Sequence, residues 1–563
     1  MAQMGESKMK EVSRDSVSAA LTEITEPSKC GFAHAENATD RDVLVVTTHW
    51  TAKKAIAAAS LAGLYTGSQI MLYFVGGALT YIEKDLNATE NGAWLPVSNT
   101  LAIAGVAPFV GYLQDLFGRR TITLIGEVVI MCGLVILATS HQFGQAVAGM
   151  SLCGAGAAVC ELTALAGRGW SLALMVTFLL PFTPYVLYAQ LLSYYHTWRW
   201  IIWLSLIYNG LVLLGILTTY FPKRQDDLGD ARKATFRDID YVGAILSIVG
   251  ITLFLVAIQA GGSSHSWSSS YVLVQLVLGI VLIISWGVWE WKFARVPMIP
   301  HAMFTGQRAV GLAFLVAFIA GLNFYSVINF LPLTFSTVYS PDPLQIGLRG
   351  LGYGISITAG AIVFNMLLSV TWLPCRWIIT SAAVIMTAFG GAIATSNPTN
   401  VGLTVALGTI SGFGVGGILV PAATLAMIVV PDNLLATTAA LSLSIRTVGG
   451  SIGYTIYYNI FINKLVPALP KFIIEYLIDA GLSASDASDF AEVFMTDPAA
   501  VTHLASYSSQ IETAAVLGEQ WAYAYALKYV WYTSIPFGCL AVLSALFLPN
   551  IRKYQTDRVA VSL

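Results

Sequence analysis

Apolar runs of membrane-crossing length alternate with short polar connections along almost the whole chain. About fourteen such runs begin near Ile56, Ala93, Thr121, Gly144, Trp170, Trp200, Tyr241, Tyr271, Ala309, Gly347, Trp377, Val401, Ala436 and Val530. Crossing the ~30 Å hydrocarbon layer takes roughly 20 residues of helix. Runs this long and continuous exclude barrel strands, and a backbone in lipid has to satisfy its own hydrogen bonds. The pattern therefore predicts an all-α polytopic membrane protein. Polar segments divide it into a tail (1–52), six spans (53–221), a charged linker with two extra spans (222–308), six further spans (309–549) that include a polar loop (464–526), and a second tail (550–563).

Composition agrees, with 56% hydrophobic and only 11% charged residues, against roughly 25% charged in an ordinary soluble domain. A net charge of −2 gives no basic bulk for nucleic acid. The cations are concentrated in both tails and in the even-numbered connections (Lys53, Lys54, Arg119, Arg120, Lys223, Arg224, Lys292, Arg295, Arg552, Lys553). By the positive-inside rule this places both termini in the cytoplasm. The loop 464–526 carries Glu475, Asp479, Asp486, Asp489, Glu492 and Glu512, as an exoplasmic loop can. The tail before Lys53 lacks the apolar core of a cleavable signal. Asn87-Ala-Thr89 is a glycosylation sequon in the first exoplasmic connection. None of the six cysteines lies in an outside loop, so no structural disulfide is expected, and no metal-ligand spacing appears.

Gly111-Tyr-Leu-Gln-Asp115-Leu-Phe-Gly118-Arg119-Arg120 sits between the second and third runs. This spacing resembles the loop between helices 2 and 3 of the major facilitator superfamily. Further stretches narrow the resemblance: Trp94-Leu-Pro-Val-Ser-Asn-Thr, Gly154-Ala-Gly-Ala-Ala-Val-Cys-Glu161, Trp198-Arg199-Trp200, Gly347-Leu-Arg349-Gly and Phe547-Leu-Pro-Asn-Ile-Arg-Lys-Tyr554. Together they are similar to the fungal trichothecene efflux pump family, related to the siderophore-iron transporters. The resemblance implies a major facilitator fold of two six-helix repeats plus two extra spans packed outside the pore, with substrate bound between the repeats at mid-membrane. Two stretches depart from the family pattern. Only Arg168 and Gly169 separate the fourth and fifth runs, and Val370 to Trp377 keeps only Arg376 of the charged motif expected from pseudo-symmetry.

Candidate chemistry follows from polar groups in apolar runs. Asp115, Gly118, Arg119 and Arg120 can form a gate, the glycine allowing a sharp return and the charges bridging helix ends and the other repeat. Simple positive-inside anchoring would need the cations but not Asp115. Glu161 lies on a small-residue face with Gly154 and Ala157, and a carboxylate inside a span is seldom there without a partner or a task. It reads either as a proton site or as a structural acid, and Glu127 follows the same logic. Arg446 can pair with Glu161 or contact a ligand, while Arg199, between two tryptophans, reads as snorkelling to the interface. Tyr65, Gln69 and Tyr73 recur every fourth residue on the first span, and Asn323, Ser326 and Phe330 share a face of the ninth. Both sets suit a pore for a lipophilic ligand bearing a few polar groups.

No Walker motif, nucleophile elbow, HExxH or dinucleotide fingerprint stands in a fitting context, so neither an enzyme nor an ATP-driven pump is expected. The family resemblance implies a secondary active transporter, expected as a monomer without cofactor or metal, that exports a lipophilic, trichothecene-like toxin or metabolite in exchange for protons. The cell membrane is its expected site, with vacuolar or vesicular membrane as the other setting. Proton-coupled uptake of a ferric siderophore and a non-transporting membrane receptor are the competing readings.

Overall fold

A computed structural model describes residues 51–88, 92, 94–165, 175, 177–221, 240–262, 264–294, 299, 303–304, 308–368, 373–430, 434–496, 500–503, 508–549 and 551. The helices among them are α1 (Ala52–Asp85), α2 (Trp94–Phe117), α3 (Arg119–Ala138), α4 (Phe143–Leu165), α5 (Tyr185–Tyr195), α6 (Arg199–Thr219), α7 (Tyr241–Ala260), α8 (Ser270–Lys292), α9 (Arg308–Thr334), α10 (Pro343–Leu368), α11 (Cys375–Ala392), α12 (Val401–Val429), α13 (Leu435–Asp479), α14 (Ala484–Thr496) and α15 (Ser509–Leu546). A π-helical turn, Phe335–Tyr339, continues α9. Side-chain caps start α7, α8 and α15, where Asp240, Ser269 and Ser508 accept from the amides of Gly243, Val272 and Ile511.

Among the described residues, 12 helices are long and apolar enough to cross a membrane, against the fourteen that the sequence pattern predicts. Two runs make up the difference. The fifth is only partly described, and its helix α5 has 11 residues. The connection through Arg168 and Gly169 lies outside the described residues. The thirteenth run lies within α13, a 45-residue helix that carries Arg446, Lys464, Lys471, Glu475 and Asp479 and is too polar on average to qualify.

The stretch 464–526 differs from the expected loop by being largely helical. Ile473 and Leu477, Phe490 and Phe494, and Ile511 and Ala515 give α13, α14 and α15 apolar stripes at a spacing of four residues, and all six side chains are buried against one another. A small separate core thus holds the extended ends of α13 and α15 together.

Helix neighbours repeat along the chain. In the first half α3 and α2 pack on α4, α3 packs on α6, and α1 touches α4, α5 and α6; in the second, α11 and α10 pack on α12, α11 packs on α15, and α9 touches α12, α13 and α15. This recurrence makes α1 the counterpart of α9 and α5 that of α13. The halves meet along two seams, α2 with α13 and α5 with α10, each the counterpart of the other. The hairpin α7–α8 lies outside them, with α7 covering the α2–α13 seam. There Gln259 accepts from the Thr455 hydroxyl, and Asn459 donates to the Gly261 carbonyl at 3.0 Å. Apolar side chains face outward on α8, including Val274, Val277, Val281 and Ile284, the reverse of a soluble bundle.

Close approach within the halves rests on small residues. A Cβ at Gly154 on α4 would overlap the Asn99 carbonyl of α2, and one at Gly321 on α9 would overlap the Arg446 carbonyl of α13. Gly321→Ala should therefore force α9 and α13 apart at a cost of about 1–3 kcal/mol. Gly311→Ala on the same helix, where nothing lies within 4 Å of the added atom, should cost nothing. Thermal unfolding of the purified variants checks this: the Gly321 midpoint is expected to fall while that of Gly311 holds, and equal midpoints would contradict the packing described.

Candidate functional site

Glu161 on α4 and Arg446 on α13 come from opposite halves and form an ion pair, Arg446 Nη2 donating to Glu161 Oε1. The second carboxylate oxygen accepts from Gln69 Nε2 on α1 at 2.7 Å. Both oxygens are thus used, and the Glu161 side chain is 0% exposed against 5% for Arg446. Tyr65 of α1 and Tyr325 of α9 stand within electrostatic reach of both charges. A charge this far from water is held only by its partner, and removing one member of such a pair costs about 3–5 kcal/mol. Arg446 keeps one further unmet donor, its buried Nε.

From this pair toward the Gly118 turn, the halves are joined by an apolar plug. Ala62, Tyr65 and Leu162 of the first half pack with Ala423, Met427 and Ala439 of the second. Beside the plug, α2 and α13 run in contact: Thr100 Oγ1 lies 3.0 Å from Ser451 Oγ, Ser444 donates to the Ala104 carbonyl at 2.7 Å, and a Cβ at Gly111 would lie 2.8 Å from the Ala440 Cβ. Toward the Asp85 end the second seam closes in the same way. Val186 and Leu187 of α5 fill the space beside Gly350 and Gly347 of α10, while within the first half Gln190 of α5 donates to the Gly77 carbonyl of α1 at 2.7 Å. The ion pair is enclosed between two packed ends.

The Gly118 turn is built as the spacing predicts, with Gly118 at a φ of 82° and exposed, a conformation that favours glycine. The side chain of Asp115 lies outside the described residues. Arg120 donates to the Leu217 carbonyl at 3.1 Å and stacks 4.1 Å over Phe221, both in its own half. Among the described residues neither Arg119 nor Arg120 forms an ion pair with the other half. Polar anchoring at this end comes from residues the sequence reading passed over: Gln114 donates to Thr163 at 2.7 Å, and Thr123 lies 2.7 Å from the same hydroxyl.

Glu127 is buried inside the first half, where Cys160 Sγ donates to its Oε2 at 3.3 Å and its Oε1 has no partner among the described residues. Arg199 does more than snorkel: it pairs with Asp85 at 2.8 Å, donates to the Ser140 carbonyl at 2.7 Å, and so ties the ends of α1, α3 and α6. Asn87 is exposed in the turn after α1 at a φ of 50°.

Tyr65, Gln69 and Tyr73 face the other helices of the interior. The first two adjoin the ion pair, and the Tyr73 ring lies 5.1 Å from Tyr185 and 6.2 Å from Phe324. The α9 set turns elsewhere. Asn323 accepts from Tyr457 at 2.9 Å and donates weakly to Met386, Ser326 bonds the Leu322 carbonyl, and Phe330 packs on Tyr454 and Phe461. All these partners belong to the second half. The face of α9 toward α1 is carried by Phe324, Ile328 and Asn329, and Tyr325 reaches Arg446. Gly321 held the missing signal: it marks the face that meets α13 at Arg446, and Tyr325 follows it by four residues.

Known proteins agree with this architecture. The chain is 23% identical over 500 residues to the MFS-type efflux pump LUC4 of a Fusarium species, covering 85% of this chain and 84% of that one. It is 32% identical over 305 residues to the efflux pump dotC of Dothistroma septosporum, covering 51% and 52%. Two solved transporters share the fold: the human organic anion transporter MFSD10 (TM-score 0.51, 12% identity, 88% of this chain and 100% of that one) and the POT family transporter PepTSo (TM-score 0.52, 12% identity, 91% and 99%). These relatives are transporters and not enzymes, and the protein is a multi-pass membrane protein of the same fold. Matching over residues 36–563 the family described as fungal trichothecene efflux pump (TRI12), the chain belongs to that family of major facilitator transporters.

Proposed function

We propose that this protein exports a lipophilic secondary metabolite of trichothecene-like character in exchange for protons, with Glu161 as the coupling acid. The observation that carries the reading is the buried pair of Glu161 and Arg446, which joins the two halves. Protonating Glu161 removes the charge that holds Arg446, so the attraction across the seam falls and the apolar plug beside it is free to part. Arg446, released, can then turn to a polar group on the cargo. Loss of the proton on the other side restores the pair and closes the seam. The moving bodies are 53–221 and 309–549, with the extra pair in 222–308 bracing the outside. Asp115, Gly118, Arg119 and Arg120 form the cytoplasmic turn of the first body, and Glu127 is a reserve proton site within it.

The driving force is sufficient. One proton moving through 100 mV contributes about 2.3 kcal/mol, and each pH unit adds about 1.4 kcal/mol. One or two protons can therefore sustain a gradient of about a hundredfold or more.

Accumulation of a radiolabelled trichothecene in pump-deficient yeast tests the reading. Wild-type chain should lower accumulation, a protonophore should abolish the difference, and Glu161→Gln at equal surface expression should behave like the protonophore. Glu161→Asp should retain part of the activity. Full export by Glu161→Gln, or export indifferent to the protonophore, would contradict the coupling.

Orientation has its own check. With Asn87 on the outer face, glycosidase treatment should increase the gel mobility of the wild-type chain expressed in yeast and leave Asn87→Gln unchanged. A wild-type chain that does not shift would contradict this sidedness or the use of the sequon.

A further inference from the structure

A second polar feature lies on the other seam. A narrow cleft runs between α1, the segment leading into α5, and α10, lined by Tyr73, Phe182, Tyr185, Gly354, Ile357 and Thr358. Tyr185 is 2% exposed, and its hydroxyl has no hydrogen-bond partner among the described residues. Tyr353, on α10 beside Gly354, is also 2% exposed with an unmet hydroxyl. Tyr353 lies within electrostatic reach of both Tyr185 and Tyr73. On α9, Asn329 Oδ1 is likewise unmet and lies 3.3 Å from where a Cβ on Gly76 of α1 would stand.

Burying a phenol without a partner is costly, and proteins seldom leave such groups unpaired. Tyr457 is the internal contrast. It is equally buried, but its hydroxyl is committed to Asn323 at 2.9 Å within the second half. The unmet hydroxyls instead come one from each half: Tyr185 lines the cleft, and Tyr353, whose ring packs on Gly412 of α12, stands next to Gly354 of its wall and within electrostatic reach of Tyr185. Aromatic rings offer broad apolar contact, and the phenols supply two donors at fixed places.

We infer that Tyr185 and Tyr353 form the recognition site for oxygen atoms on the cargo, which is a rigid, apolar ring system carrying carbonyl or ether oxygens that accept from the two phenols. This rests on the transport reading above and specifies its substrate class. Parting of α5 and α10 widens the cleft to admit the cargo, and closure brings the phenols onto the oxygens.

Binding to the purified full-length protein, followed by quenching of its aromatic fluorescence, provides the test. Anthraquinone and anthracene share a three-ring outline, and only the first carries carbonyl acceptors. Tyr185→Phe and Tyr353→Phe keep the rings and remove the hydroxyls. Each should weaken anthraquinone binding about fivefold, the worth of one neutral hydrogen bond, and leave anthracene binding unchanged. Tyr457→Phe should leave the affinity for both probes unchanged. Equal loss of both probes, unchanged anthraquinone affinity in both phenylalanine variants, or no anthraquinone binding by the wild-type chain would overturn the assignment. Trichothecene export by the wild-type chain, measured in parallel, separates this failure from failure of the transport reading.

Discussion

A single carboxylate with two donors holds the centre of this molecule. Glu161 is fully buried and shares its oxygens between Gln69 of α1 and Arg446 of α13, so three helices from two halves meet at one group. In a low-dielectric interior neither charge is tolerable alone, and separating the halves at this point requires that the charge on one of them be changed or replaced. The proposed proton switch rests on that requirement. The apolar plug beside the pair contributes adhesion whose strength does not depend on protonation.

Among the described residues the pair is the charged contact across the halves. Within each half, helices approach through small residues such as Gly154 and Gly321, where backbone meets backbone and little can slide. Across the seams close glycine approaches, Gly347 and Gly354 of α10 against α5 and the segment leading into it, stand beside single hydroxyl bonds such as Thr100 with Ser451. Rigid bodies joined by breakable seams are what alternating access needs. The α7–α8 hairpin adds a brace on one seam only, through Thr455 and Asn459, so the two seams are not mechanically equal despite their repeated helix order.

Much of this was legible in the sequence, for reasons that can be named. Long apolar runs report helices directly, since lipid leaves the backbone no other choice. Glu161 and Arg446 stood out because ionisable residues are rare inside spans, and each needed an opposite charge. The Gly118 turn was readable because its conformation favours glycine. Other features depended on tertiary detail. The phase of α9 is not legible because almost every residue of that helix is buried, so apolarity gives no face, and Asn323 looks the same in sequence whether it meets cargo or Tyr457. Arg199 was read by its tryptophan neighbours, whereas its acid, Asp85, lies more than a hundred residues earlier in the chain. The 464–526 segment reads as a loop by charge, yet its four-residue apolar spacing gives helices with a core of their own.

The most direct measurement is a charge exchange across the seam. Thermal unfolding of the purified chain should show Glu161→Arg and Arg446→Glu each strongly destabilised, because each places two like charges together in a buried site. The double variant, with the pair reversed, should recover a substantial part of the loss. Recovery beyond the sum of the single effects would establish that the two residues act on each other and hold the halves together. Strictly additive effects, or single variants as stable as the wild type, would contradict the account.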